Sequence, residues 1–342
     1  MPKPRRPRPQ PPEVMRGLLT GYWVSQMLFT VAELGVADAL SEKPLAPGAL
    51  AKKVGAHAPS LRRVLRTLAS VGVFAEDAKG RFRLTPLGRT LRSGPGTLRD
   101  FARMILDDYN WQAFGALRHA VSTGVNAFEH VHGVPNFDYL RERPEKERRF
   151  AAAMASNSAV SNEAVARAYP YGRLRTLVDV GGAHGHLLAA ILRRHPKLRG
   201  VLYDQPQVVA AAAESGFLGA PGVRERCEVA GGNFFEQVPE GADGYLMKHI
   251  LHDWDDERCV RILGLCREAM ARDGRVLVVE HIVPPGNAPS WAKHLDLMMM
   301  VGPGGLERTR IEFRALFGEA GLRLARVHPT TAGLSVLEAV QI

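Results

Sequence analysis

Nine consecutive residues, Lys248-His249-Ile250-Leu251-His252-Asp253-Trp254-Asp255-Asp256, set imidazoles beside carboxylates and an indole. A histidine changes charge near neutral pH and can take a proton, and an adjacent carboxylate stabilises the imidazolium that results. His252 with Asp253 is therefore a candidate base, with a buried structural histidine as the alternative reading. Well upstream lies a second unusual stretch, Asp179-Val180-Gly181-Gly182-Ala183-His184-Gly185. It has the composition of a strand running into a helix N-terminus, where small residues let backbone N–H groups approach a nucleotide-like ligand. The spacing is not Gly-x-Gly-x-x-Gly and no Gly-Lys-Ser/Thr follows, which excludes a dinucleotide fingerprint and a phosphate loop. Asp204, 25 residues beyond Asp179, stands where a carboxylate can accept both hydroxyls of a ribose. Its alternative is a helix N-cap before Pro206. Asn233-Phe234-Phe235 offers an amide and a ring to an adenine.

These residues need elements to converge. From Arg173 onward, short apolar runs (176–181, 200–204, 227–231, 245–249 and 275–281) alternate with helical stretches (187–194, 208–214, 257–271 and 312–320). Such alternation predicts a mostly parallel sheet covered on both faces. Two closing strands, 322–327 and 334–340, fit an antiparallel hairpin at one edge. In an open sheet of this kind a ligand lies beyond the carboxyl ends of the strands, at the switch in strand order, which is where Gly181–Gly185 falls. Upstream, residues 14–100 show helical periodicity and then two short strands, 72–74 and 81–87, around Asp-Ala-Lys-Gly, in the outline of a winged helix. Residues 101–170 are mostly helical and rich in aromatic side chains, suited either to core packing or to the wall of a cleft.

Composition narrows the class. The chain has 342 residues, a formal net charge of +10 and three cysteines, Cys227, Cys259 and Cys266. So few thiols, without paired metal spacing, predict a reducing, cytoplasmic setting and no disulfide framework. No long uncharged apolar run offers a membrane span. Residues 1–12 mix prolines with basic residues and read as a disordered tail. His249, His281 and His294 lack a coherent carboxylate set in the sequence, so no metal is expected.

The ordered series Val178-Asp179-Val180-Gly181-Gly182, Tyr203-Asp204, Gly232-Asn233-Phe234-Phe235, Lys248-x-x-x-His252-Asp253-Trp254 and Gly305-Leu306-Glu307-Arg308-Thr309 resembles the S-adenosylmethionine-dependent O-methyltransferases of the caffeate and acetylserotonin type, bacterial antibiotic-pathway members included. The resemblance covers nearly the whole chain. It implies an α/β fold, a Rossmann-like doubly wound sheet (the methyltransferase fold) over residues 173–342. A mainly helical, winged-helix-like dimerisation domain at 13–100 would precede it, with a helical substrate-cleft region at 101–172 between. It implies S-adenosyl-L-methionine as methyl donor, S-adenosyl-L-homocysteine as product, a homodimer, and neither nucleic acid nor membrane as partner.

The resemblance also implies roles. Gly181, Gly182, Asp204, Asn233, Phe234, Lys248 and Trp254 would bind the cofactor. His252 would be the base, with Glu280 and Glu307 orienting its ring and Asp253 touching the substrate. Met154, Met298, Trp111, Phe150 and Gly302 would line the site of a hydroxylated aromatic or polyketide-like acceptor. The chain departs from the family pattern at Ala183, where a third glycine is usual, at Asn233, where an aspartate is usual, and at Gly302, where plant members carry asparagine. Two other functions compete: the same fold and cofactor with non-methylating chemistry (hydroxylation, decarboxylation or a pericyclic reaction), and a DNA-binding regulator using Arg62, Arg63 and Arg66.

Overall fold

The computed structural model describes residues 10–214 and 220–342. The chain packs as two units, Met1–Trp111 with Arg143–Asn157, and Gln112–Glu142 with Ser158–Ile342. The stretch 101–172 is thus shared between them, and the helix Pro144–Ala168 runs from one to the other.

In the first unit, the helix Ala58–Ser70 buries Leu61, Leu65 and Leu68, the i, i+4, i+7 stripe of an amphipathic helix. Arg62, Arg63 and Arg66 stand on its exposed side. An antiparallel ribbon follows, β1 (Phe74–Glu76) and β2 (Phe82–Leu84). Two expectations are corrected here. Pro86 and Leu87 do not extend the second strand. They open a short helix, because the Thr85 hydroxyl accepts a hydrogen bond from the Gly88 N–H and proline suits the first helical turn. Residues 1–9 of the expected tail lie outside the described residues, but Pro11 and Pro12 begin the helix Pro11–Leu19 for the same reason.

The second unit is built on seven strands: β3 (Thr176–Val180), β4 (Arg199–Asp204), β5 (Cys227–Gly231), β6 (Gly244–Lys248), β7 (Arg275–Glu280), β8 (Leu322–Pro329) and β9 (Ser335–Gln341). Their order is β5-β4-β3-β6-β7-β9-β8. Strands β3 to β7 run parallel, and β9 pairs antiparallel with both β7 and β8. Val276 to Val279 are completely buried, as expected of a central strand covered on both faces. The chain travels outward from β3 through β4 to β5, then returns to lay β6 on the other side of β3. The switch point therefore lies between β3 and β6.

Register sets the carboxyl ends side by side: Val180 pairs with Tyr203, Asp179 with Leu246, and Lys248 with Val279. His249 and His281, expected as the last residues of strands, lie one position beyond β6 and β7. The helix Trp291–Val301, capped by the Ser290 hydroxyl, was not legible as an element.

Candidate active site

The turn after β3 is built by close approach. A Cβ on Gly181 would lie 2.4 Å from Ile250 Cδ1 and 3.7 Å from Phe234 Cε1, and one on Gly182 would lie 2.7 Å from Asp179 Oδ2. Glycine is required at both positions because Ile250, Leu202 and Asp179 already fill the space a side chain would take, with Phe234 bordering the turn. Ala183 takes a left-handed φ of 49°, a conformation that costs an L-residue roughly 1–2 kcal/mol. Its N–H donates to Asp204 Oδ2 at 2.9 Å, and the Gln205 N–H donates to Oδ1 at 2.7 Å. Asp204 therefore reaches across the turn, and burial raises its pKa despite those two donors. Both oxygens keep a lone pair for further donors, so the fit to a diol is retained.

Asp179 opens the glycine-rich stretch but has no role of its own legible from the sequence, because an aspartate inside a buried strand carries no local sign of a partner. It is 1% exposed, and its Oδ2 has no hydrogen-bond partner. Burial, then the charge of Asp204, lifts it to about 7. Lys248, at the end of β6, donates to Ser161 Oγ at 3.0 Å and to Asn162 Oδ1 at 2.7 Å, and burial lowers it to about 8. An orphaned carboxylate oxygen beside a glycine turn, with a carboxylate at the next strand end, fits the amino-acid and ribose parts of the implied donor. Asn233 is committed locally, its Oδ1 accepting from the Phe235 N–H at 3.0 Å and its Nδ2 donating to Glu236 at 2.9 Å. Trp254 packs edge-on to Phe235 at 4.9 Å and lies 6.5 Å from the Phe234 ring.

His252 sits in a single turn of 3₁₀ helix, Leu251–Asp253, just past β6. Glu307 Oε1 is 2.6 Å from its Nδ1, Glu280 Oε2 is 3.6 Å from the same nitrogen, and Asp253 Oδ1 is 3.6 Å from Nε2. His252 is 8% exposed, and both glutamates are more deeply buried still. Burial alone would depress the histidine. The charges of Glu280 and Asp253 and the bond to Glu307 outweigh it and lift the pKa to about 10. Burial raises Glu280 to about 7 and Asp253 to about 6. The surrounding carboxylates thus favour the protonated form of this imidazole in the free protein.

His249 stacks on His252 with ring centroids 4.9 Å apart, and its Nδ1 is 3.4 Å from Glu280 Oε2. The histidine near the strand end therefore does have a carboxylate neighbour. His249, His252 and Glu280 bring three donor atoms within 4.8 Å, but the bond to Glu307 occupies the His252 nitrogen that faces Glu280. Met298 and Gly302 are adjacent, a Cβ at Gly302 falling 3.7 Å from Met298 Cε. Asn126 Nδ2 fixes that corner by donating to the Met300 and Gly302 carbonyls at 3.1 and 3.0 Å. Trp111, Phe150 and Met154 belong to the first unit, where Trp111 packs 6.2 Å from Tyr22.

A buried imidazole among carboxylates at the switch point, beside a glycine turn and a strand-end aspartate, makes a candidate active site on a methyltransferase fold. Residues 114–323 match the O-methyltransferase domain and residues 17–94 the O-methyltransferase dimerisation domain, so the chain belongs to this family of S-adenosylmethionine-dependent enzymes. The phenazine O-methyltransferase PhzM of Lysobacter antibioticus is 44% identical over 327 residues, 95% of each chain. The crystal structure of LaPhzM superimposes with a TM-score of 0.91 at 44% identity, covering 98% of this chain and 100% of that one. CalO1, a methyltransferase of calicheamicin biosynthesis in its S-adenosylhomocysteine-bound form, gives 0.88 at 38% identity, covering 99% and 100%. These likenesses favour neither the non-methylating chemistry nor the DNA-binding regulator. Among the described residues no helix is long and apolar enough to cross a membrane.

Proposed function

We propose that the chain methylates a hydroxyl of a flat aromatic small molecule, of the kind named for its phenazine-modifying relative, with His252 as general base. The observation that carries this reading is the 2.6 Å contact between His252 Nδ1 and Glu307. A proton held on Nδ1 by that carboxylate leaves the Nε2 lone pair for the acceptor hydroxyl. S-adenosylmethionine, when bound, supplies a methyl group already activated on a sulfonium. The protein's task is alignment and proton removal. His252 Nε2 takes the hydroxyl proton, Glu307 and Glu280 stabilise the imidazolium, and Asp253 flanks the nitrogen that the acceptor must reach.

Gly181, Gly182, Asp179 and Lys248 would serve the amino-acid part of the donor and Asp204 its ribose. Phe234, Asn233 and Trp254 would serve its adenine. Met298 and Gly302 would line the acceptor site. The 13–100 region would build a homodimer, in keeping with its dimerisation match. The free thiols Cys227, Cys259 and Cys266 suit a cytoplasmic enzyme. The test is a panel of hydroxyphenazines, hydroxynaphthoates and hydroxybenzoates with the wild type and His252→Gln. The expected result is a product heavier by one CH2 from at least one wild-type reaction, at least a hundredfold slower in the variant, with S-adenosylhomocysteine affinity retained. Undiminished turnover in His252→Gln would remove the proposed base.

A further inference from the structure

Arg308 is the largest fully buried side chain among the described residues, 1% exposed, and no step of the proposed mechanism uses it. Its guanidinium spans the turn that carries the base. Nη1 donates to the Leu251 carbonyl at 3.0 Å and Nη2 to the Trp254 carbonyl at 3.0 Å, so the two bonds bracket His252 and Asp253. Nε and Nη2 also reach Asp256 Oδ1 at 2.9 and 2.6 Å. A buried charge persists only where hydrogen bonds replace its water. Here the Asp256 side chain is 66% exposed, so the two main-chain carbonyls are the enclosed partners.

The neighbouring residues grip the same turn. A Cβ on Gly305 would fall on the His252 carbonyl oxygen, 1.9 Å away. The Leu306 N–H donates to that oxygen at 2.9 Å, and Glu307 holds the ring. The Glu307 N–H is itself anchored on Asp296 Oδ1 at 2.9 Å. Gly305 to Arg308 thus form a template: one residue fixes the imidazole and the next fixes the backbone on both sides of it.

We infer that Arg308 is a positioning residue for His252, setting the separation and direction of the imidazole relative to Glu307 and the acceptor. This rests on the reading of His252 as base. Only the planar fork of arginine has donors spaced to reach both carbonyls at once, whereas a lysine ammonium is a point charge that serves one of them. Loss of the fork frees the turn to shift, and a misplacement of about 1 Å costs up to about a hundredfold in rate.

The experiment uses the full-length protein, wild type, Arg308→Lys, Asp256→Asn and His252→Gln. The first readout is the downfield proton resonance of the short His252–Glu307 bond, identified by its absence in His252→Gln. The second is steady-state methylation of the panel compound that the wild type turns over. S-adenosylhomocysteine calorimetry counts the folded fraction. Expected in Arg308→Lys are a shifted or broadened resonance, kcat lower by ten- to a hundredfold per folded site, and a KM for S-adenosylmethionine within twofold of wild type. Asp256→Asn, altered at an exposed carboxylate, folds even if Arg308→Lys does not, and is expected to show the same pattern with a two- to fivefold loss. An unchanged resonance with kcat per folded site within twofold, in Arg308→Lys or, should that variant not fold, in Asp256→Asn, overturns the positioning role. Full activity of His252→Gln would instead overturn the base itself.

Discussion

Glu307→Gln removes one charge from the base and almost nothing else, because the Glu307 backbone stays anchored on Asp296. Two outcomes are available to the new amide. If its oxygen faces Nδ1, a charge-assisted bond becomes a neutral one, losing about 1.5 kcal/mol of imidazolium stabilisation, or roughly tenfold in kcat. If its NH2 group faces Nδ1, the proton is driven to Nε2 and the base is blocked, a loss of about 10²- to 10⁴-fold. The second is favoured, because Glu307 Oε2 has no hydrogen-bond partner and an amide NH2 buried there would go unsatisfied at about 1–3 kcal/mol. The His252 pKa falls from its raised value in either case. The assay is kcat against pH on the accepted panel compound, with S-adenosylhomocysteine affinity as the control and expected within twofold of wild type. A kcat within twofold of wild type across the profile would refute the reasoning, since neither orientation of the amide permits it.

Two more predictions concern the glycine turn. The Asp179 carboxyl binds its proton more tightly in the folded chain (about 7 against an ordinary 3.8), so its ionised form burdens the fold fully above pH 7 and progressively less below. Asp179→Asn should therefore raise Tm more at pH 8 than at pH 5, by at most about 4 kcal/mol of stability, while weakening S-adenosylhomocysteine binding in calorimetry; an equal gain at both pH values would contradict the assignment. Ala183→Gly relieves the left-handed backbone and should add roughly 0.5–1 kcal/mol after the entropy of glycine is discounted, measured as a higher urea midpoint with an unchanged slope.

The parallel core was legible because buried strands are continuous apolar runs bounded by turns, and the observed ends of β3 to β7 fall within a residue of the expected ones. Two of the three carboxylates around His252, Glu280 and Glu307, are 28 and 55 residues away in sequence (280 and 307 against 252), so spacing alone could not associate them. A family pattern could. Features made by packing escaped both routes. Ser161 and Asn162 are ordinary polar residues until Lys248 reaches them, and Asp179 reads as part of a strand. Trp291–Val301 follows a loop with three prolines, and its methionine run has no clear helical stripe. Pro86 and Pro11 misled because proline ends a strand or marks a tail as readily as it starts a helix.

The protonation of the free site carries the last step. With every group ionised, Glu280, Glu307, Asp253 and an imidazolium sum to −2 in a space nearly closed to water. Buried charge of that kind is disfavoured, and the structure responds by raising Asp253 and Glu280 towards neutrality and by tightening the proton on His252. A base must nevertheless arrive without its proton. Any cation bound at the switch point takes over the neutralising role that the imidazolium plays in the free protein, and so lowers the histidine pKa. On the reading of His252 as base, the same three carboxylates would serve both phases: they would favour a positively charged donor, and they would stabilise the imidazolium that forms once the hydroxyl proton has moved. A neutral cluster with a single glutamate would supply the tautomer but not this exchange of one positive charge for another.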